Sequence, residues 1–237
     1  MTQRQPVSIL DWNFAHGVSE WPVDAVLEPP LALGDPNLLW HLRAGASPPR
    51  TPLVFKGFFD TLNLLDYPSN DCNWPLVTRR MLDALQLNET EHCTPYPTTL
   101  IDVQLRTQND PRWTRTDPQA ASEYALSTPS LFRTDLYTLQ ITPLHGVLNR
   151  ERSRCEIEND FIVSFVDSYV FHELETGFPP LFRVAEDPAT LFISDEARQS
   201  LKTAGIVGPV YRAVDGFQPP AQTDVPLPFS EGGAVRG

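Results

Sequence analysis

The sequence lacks several features that would point to particular functions. No segment approaches the run of about 18 apolar residues that a transmembrane helix needs. It has neither the phosphate-binding glycine loop that ends in Lys-Ser/Thr nor the G-x-G-x-x-G loop of dinucleotide-binding proteins. Residues 1–6 contain no apolar stretch that could serve as a signal peptide. We therefore expect a cytoplasmic protein that binds neither membranes nor nucleotides.

Cysteine and histidine are scarce and widely spaced. The three cysteines are Cys72, Cys93 and Cys155, an odd number without metal-site spacing, which indicates a reducing compartment. No two of the five histidines lie four residues apart, as they do in helical zinc motifs. We therefore expect no cofactor and no metal, and we interpret the histidines as structural.

Basic residues are also in the minority. The chain has 18 Lys and Arg against 30 Asp and Glu, which gives a net charge of −12. Such a surface repels nucleic acids, because phosphate binding requires clustered Lys and Arg. It favours either solubility alone or encounter with a partner whose binding surface is basic.

No catalytic motif stands out. The G-x-S-x-G sequence of serine hydrolases is absent. Cys93 or Cys155 paired with a distant histidine remains possible as a thiol site, although buried, inert cysteines are the ordinary case. Glu156, Glu158 and Asp160 would share one face of a strand, where paired carboxylates suit glycoside hydrolysis or simply form a solvated acidic face. We assign no catalytic residue.

The pattern of apolar residues predicts the α+β class. Proline makes up 24 of 237 residues, about twice the usual ~5%, which favours short strands and stiff loops. Residues 7–14, 23–27, 98–105 and 135–141 read as strands. Residues 53–59 read as a hairpin or bulged strand, and residues 161–174 as a long buried strand or bent hairpin. We expect a mostly antiparallel sheet with two or three helices, in one domain over residues 1–216 followed by a Pro- and Gly-rich tail over 217–237.

The clearest local signal is a strand that leads directly into a capped helix. Residues 181–184 and 191–193 predict two strands around the turn Glu186-Asp187-Pro188, and Ser194 predicts the N-cap of a helix that closes at Gly205. A fainter copy lies upstream, where residues 74–77 precede Thr78 as a cap and a helix over 79–87.

These units resemble a known bacterial family. The segments 182–183, 191–196 and 204–208 look like the closing element of immunity-protein family eleven, a myxobacterial-type domain found beside polymorphic and type VI secreted toxins. Residues 75–78 with their helix, the strand at 136–140 and the segment 148–153 are similar to its earlier elements, with Asn149 at the place of an aspartate. The resemblance covers residues 55–216. It implies an antitoxin that takes part in bacterial competition by binding a cognate toxin, and not an enzyme.

Partner contacts are predicted where aromatic and acidic residues cluster in the segment 58–74 and the turn 172–178, because interfaces favour aromatic anchors within charged rims. The candidate residues are Phe58, Phe59, Asp60, Asp66, Tyr67, Asp71, Trp74, Glu173, Glu175 and Phe178. Three alternatives remain open: an enzyme with a dispersed Cys/His site, an enzymatic immunity protein that reverses a toxin's modification, and a structural subunit with a constitutive partner.

Overall fold

Eleven strands and three short helices make up the described part of the chain. This computed structural model describes residues 6–12, 23–27, 45–46, 53–87, 92–102, 132–158 and 162–214. The strands form two larger sheets and a separate hairpin, and their pairing is antiparallel except at one pair. The predicted α+β class is therefore confirmed.

The first sheet joins the beginning of the chain to the predicted C-terminal unit. Its strands are β1 (Val7–Trp12), β9 (Leu181–Val184), β10 (Asp187–Ser194) and β11 (Pro209–Arg212). They lie in the order β11-β1-β10-β9, and all neighbours are antiparallel. The β9–β10 turn is Ala185-Glu186, since Val184 pairs with Asp187, so the chain turns one residue earlier than the position of Pro188 predicts.

The second sheet contains the upstream unit. Its strands are β2 (Ala25–Leu27), β3 (Leu53–Gly57), β4 (Leu76–Thr78), β5 (Cys93–Asp102) and β6 (Phe132–Ile141), in the order β2-β3-β5-β6-β4. The strands β3 and β5 form the parallel pair. A separate hairpin is made by β7 (Arg154–Glu158) and β8 (Ile162–Ser168).

The two longer helices start as the sequence predicts. The helices are α1 (Phe59–Leu62), α2 (Arg79–Ala84) and α3 (Asp195–Thr203). The Thr78 hydroxyl accepts the backbone N–H of Met81 at 3.3 Å, and the Ser194 hydroxyl accepts that of Ala197 at the same distance. Each cap therefore satisfies one of the N–H groups that a helix start leaves without a partner.

A central apolar cluster unites the two sheets with α2 and α3. It includes Val77 and Leu139 from the second sheet, Leu191 and Ile193 from the first, and Leu201 from α3, all buried. Phe192, between Leu191 and Ile193, points to the opposite face of its sheet, as the two-residue period of a strand requires. Leu76 and Leu136 of the second sheet lie in another buried cluster, so both sheets are buried on two faces.

Several predicted boundaries were wrong for identifiable reasons. Phe59 begins α1 and does not continue a strand, because β3 ends at Gly57. A Cβ at Gly57 would lie 2.3 Å from the Leu62 side chain, so glycine allows α1 to pack against the end of β3. The strand β5 starts at Cys93, five residues before the strand predicted over 98–105. Its prolines at 95 and 97 are tolerated because β3 pairs with residues 98–102, so that among the described strands the earlier part of β5 has β6 as its one partner.

Two further predictions differ in length. The helix predicted over 79–87 ends at Ala84, with Leu85 as its C-cap and Gln86 at a positive φ of 55°. The segment 161–174, predicted as a long buried strand or a bent hairpin, contains β8, which ends at Ser168 and pairs with the preceding strand β7. The predicted tail over 217–237 lies outside the described residues.

Candidate functional site

An open groove of about 560 Å³ lies between α2, the start of β6 and the loop that follows α1. We call it the arginine groove. Its lining residues are Asn63, Leu64, Leu65, Asp66, Thr78, Arg79, Arg80, Asp83, Arg133 and Asp135. The segment 58–74, which the sequence marks as a partner-binding region, thus supplies one wall.

The wall is held in place by the buried carboxylate of Asp66. Its Oδ1 accepts the Thr78 hydroxyl at 2.7 Å, and its Oδ2 accepts the backbone N–H of Val207 at 3.0 Å. Its backbone bonds the same two residues, because the Asp66 N–H donates to Val207 at 2.9 Å and the Thr78 N–H donates to Asp66 at 3.0 Å. One side chain therefore links the loop, the cap of α2 and the segment after α3.

Arg80 links α2 to the C-terminal end of α3. One Nη of Arg80 donates to Asp66 at 3.2 Å, and the other donates to the carbonyls of Ala204 and Gly205 at 2.6 Å each. Those carbonyls follow the last turn of α3, where acceptors have no partner within the helix. Gly205 has the left-handed φ of 65° that its role as a helix terminator predicts.

The opposite wall is formed by an ion pair on β6. Arg133 donates to both carboxylate oxygens of Asp135, at 2.9 and 2.7 Å, and to the side-chain oxygen of Asn63 at 2.8 Å. These hydrogen bonds from Arg133 hold the pKa of Asp135 below its ordinary value. Arg133 is thereby committed to partners within the chain.

Arg79 differs from the other two arginines. It is exposed, its guanidinium carbon lies 4.2 Å from the centre of the Tyr137 ring, and one Nη donates to the Tyr137 hydroxyl. Among the described residues, no carboxylate forms an ion pair with Arg79. Likewise, no described Lys or Arg forms an ion pair with Asp83 on the same helix. The groove therefore presents one oriented cation and one anion to an incoming molecule.

Leu64 lies beside these charges. Its residue surface is 58% exposed, and among the described residues no other large apolar side chain is exposed. The adjacent Leu65 is buried, so the loop directs one leucine inward and the other outward. Sequence reasoning missed Leu64 because a pair of leucines gives no indication of which one faces the solvent.

The predicted partner-binding residues separate into three groups. Asp66, Tyr67 and Trp74 are buried, and Phe58, Phe59 and Phe178 are partly buried. The three acidic residues Asp71, Glu173 and Glu175 are exposed, while Asp60 lies within α1. Of the nine whose side chains the structure describes, only Asp66 lines the groove.

Three of the aromatic candidates, two buried and one partly buried, have partners within the chain. Trp74 donates its backbone N–H to Asn70 at 3.1 Å, and Tyr67 stacks on Trp12 with ring centres 5.7 Å apart. Burial raises the pKa of Tyr67 well above its ordinary value. Phe178 stacks on Phe182 at 5.2 Å. The aromatic residues of these segments therefore pack mainly within the fold.

Of the two cysteines that the sequence left open as nucleophiles, Cys93 is disfavoured. Burial raises the pKa of Cys93 to about 12, so its thiol is protonated near neutral pH. A thiol is a poor nucleophile in that form. Cys155 is partly exposed.

In the described ranges no three His, Cys, Asp or Glu side chains come together as a metal site, and no helix is long and apolar enough to cross a membrane.

The resemblance predicted from sequence places Asn149 where the family has an aspartate. Its side-chain oxygen accepts the backbone N–H of Arg152 at 3.1 Å, and its backbone carbonyl accepts that of Ser153 at 2.9 Å. This is a turn that Asn and Asp form equally well. The hydrogen bonds of this turn are therefore the same for either residue.

Comparisons with models of known protein families and with curated proteins find no match for this chain. The resemblance to immunity-protein family eleven stays a prediction.

Proposed function

We propose that this chain is an immunity protein of the family-eleven type, which acts in the cytoplasm by binding a cognate secreted bacterial toxin and blocking it. The arginine groove carries the proposal, because it combines an exposed leucine with charged groups whose positions are fixed before any partner arrives. Preformed surfaces bind with a smaller loss of conformational freedom than flexible ones.

The rigidity of the groove supports a blocking role. Asp66, Thr78 and Arg80 connect its walls to both helices and to the segment at Val207, so the walls move only if those contacts break. A fixed surface of this kind suits occlusion of a partner's active site. One immunity molecule is then consumed for each toxin molecule.

Charge acts at two ranges. The net charge of −12 accelerates encounter with a basic toxin surface over distances of about one Debye length, roughly 8–10 Å at physiological salt. The groove itself holds three arginines and three aspartates, so its formal charges cancel. Steering therefore depends on the whole surface, whereas the groove selects among partners that have already arrived.

Co-expression with the toxin encoded by the adjacent gene tests this function. We expect cells to survive, and we expect protection to require about one immunity molecule per toxin molecule when the two promoters are titrated against each other. Survival at far lower ratios would indicate an enzyme that reverses the toxin's modification. Death at every ratio, with no complex by size-exclusion chromatography, would contradict the proposal.

A further inference from the structure

Arg79 is the one arginine of the groove that lacks an anionic partner among the described residues. Arg80 is engaged by Asp66 and by two carbonyls of the α3 terminus, and Arg133 by Asp135. Among the described residues, the Tyr137 hydroxyl is the one hydrogen-bond partner of Arg79, and it binds a single Nη. The remaining donors of its guanidinium point to no acceptor within the described chain.

We propose that Arg79 is the anchor for a carboxylate side chain of the toxin, with an apolar toxin side chain beside it on Leu64. The inference rests on the proposed function and names the chemistry of the partner at this surface. It also runs against the expectation from net charge, because the partner's central contact is acidic even if the rest of its surface is basic.

The Tyr137 ring is what makes Arg79 suited to this task. A guanidinium stacked on an aromatic face is held in one plane, so less rotamer freedom is lost when it binds. A planar fork of donors matches the two oxygens of a carboxylate. Exposed arginines without such support reach many orientations and make weaker contacts.

The surrounding charges favour a carboxylate over a phosphate. Asp66, Asp83 and Asp135 line the same groove, so a doubly charged phosphate meets more repulsion than a single carboxylate does. Asp83 lies four residues after Arg79 on α2, which places the two on one helix face. A toxin segment with an acidic and a basic side chain matches both, whereas a polyacidic segment does not.

Affinity measurements on groove variants test the inference. The purified toxin, made inactive, is titrated against wild type, Arg79→Ala, Arg79→Lys, Leu64→Ser and the control Arg154→Ala by isothermal calorimetry. Arg154 is an exposed arginine paired with Asp167 on the β7–β8 hairpin. We expect Arg79→Ala to weaken binding at least about 30-fold, which is the 2 kcal/mol that defines an interface hot spot.

The other variants refine the result. Arg79→Lys keeps the charge and loses the planar fork, so we expect about a tenfold loss. We expect the affinity for the toxin to fall several-fold in Leu64→Ser and less than twofold in Arg154→Ala. Urea unfolding midpoints within error of wild type show that the variants remain folded.

Charge exchange identifies the partner group. Arg79→Glu should abolish binding, and changing one toxin Asp or Glu to Arg should restore it. Equal affinity of wild type and Arg79→Ala overturns this inference and leaves the proposed function standing. Absence of binding by wild type overturns both. Weaker binding by Arg79→Ala, together with an Arg79→Glu variant that no change of a toxin Asp or Glu to Arg restores, overturns the assignment of a carboxylate.

Discussion

Replacing Asp66 by alanine is expected to destabilise the fold much more than replacing it by asparagine. Alanine leaves the hydroxyl of buried Thr78 and the N–H of Val207 without their acceptors. A buried donor without an acceptor costs about 1–3 kcal/mol. The ion pair with Arg80 adds less than about 1 kcal/mol, because the Arg80 side chain is 54% exposed.

Asparagine can keep most of these contacts. Its oxygen replaces Oδ2 and accepts from Val207 and Arg80, while its amide nitrogen replaces Oδ1 and donates to the Thr78 oxygen. That oxygen already accepts from Met81 at 3.3 Å, and a hydroxyl has two acceptor lone pairs. We therefore expect a loss of about 3 kcal/mol for alanine and about 1 kcal/mol for asparagine.

Urea unfolding followed by tryptophan fluorescence measures both variants. The comparison uses midpoints at equal m values, with Asp83→Ala as a control because Asp83 is exposed and is expected to change stability by less than about 0.5 kcal/mol. Equal midpoints for the alanine and asparagine variants would refute the reasoning. So would an alanine variant that loses no more than the control.

Three further predictions concern other parts of the fold. Gly208 has a φ of 113°, and a Cβ there would lie 2.8 Å from the carbonyl oxygen of Tyr67, whereas Gly177 has a φ of 73° and nothing within 4 Å. Urea midpoints should therefore fall further for Gly208→Ala than for Gly177→Ala. In Gly177→Ala backbone strain alone costs about 1 kcal/mol. Equal losses of stability in the two variants would contradict the close approach at Gly208. The Cys93 thiol ionises near pH 9 when unfolded and near 12 when buried, so its stabilising contribution is complete below pH 9 and is lost as the pH rises toward 12. Wild type should lose stability more steeply than Cys93→Ala between pH 8 and 10.5, and parallel pH profiles would contradict this. Arg183 is 2% exposed and donates to three backbone carbonyls, so Arg183→Met should lose about 2–4 kcal/mol in the same urea assay, and a loss under about 0.5 kcal/mol would contradict its role.

Local chemistry made the two helix starts predictable from sequence. Thr78 and Ser194 are caps because a hydroxyl next to a helix start has a fixed hydrogen-bonding task, and Gly205 ends its helix because few other residues accept its φ. The pairing of strands depends on distant partners. Nothing near Pro95 indicates that β3 leaves that part of β5 uncovered, so the strand was missed there.

The groove was only partly predictable for a related reason. The sequence marks the segment 58–74, yet Trp74 and Tyr67 are as apolar in the core as they are in an interface. What distinguishes Leu64 is its exposure, and what distinguishes Arg79 is the lack of an anionic partner within the described residues. Both properties arise from the packing of α1, α2 and β6, which lie far apart along the chain.

Hydrogen exchange of the chain with and without the toxin tests the central claim most directly. If the toxin binds at the arginine groove, amides in residues 63–66, 78–83 and 132–135 should exchange more slowly in the complex, while those in the turn 172–178 should not change. Protection confined to that turn, or to any face that excludes Leu64 and Arg79, would contradict the account.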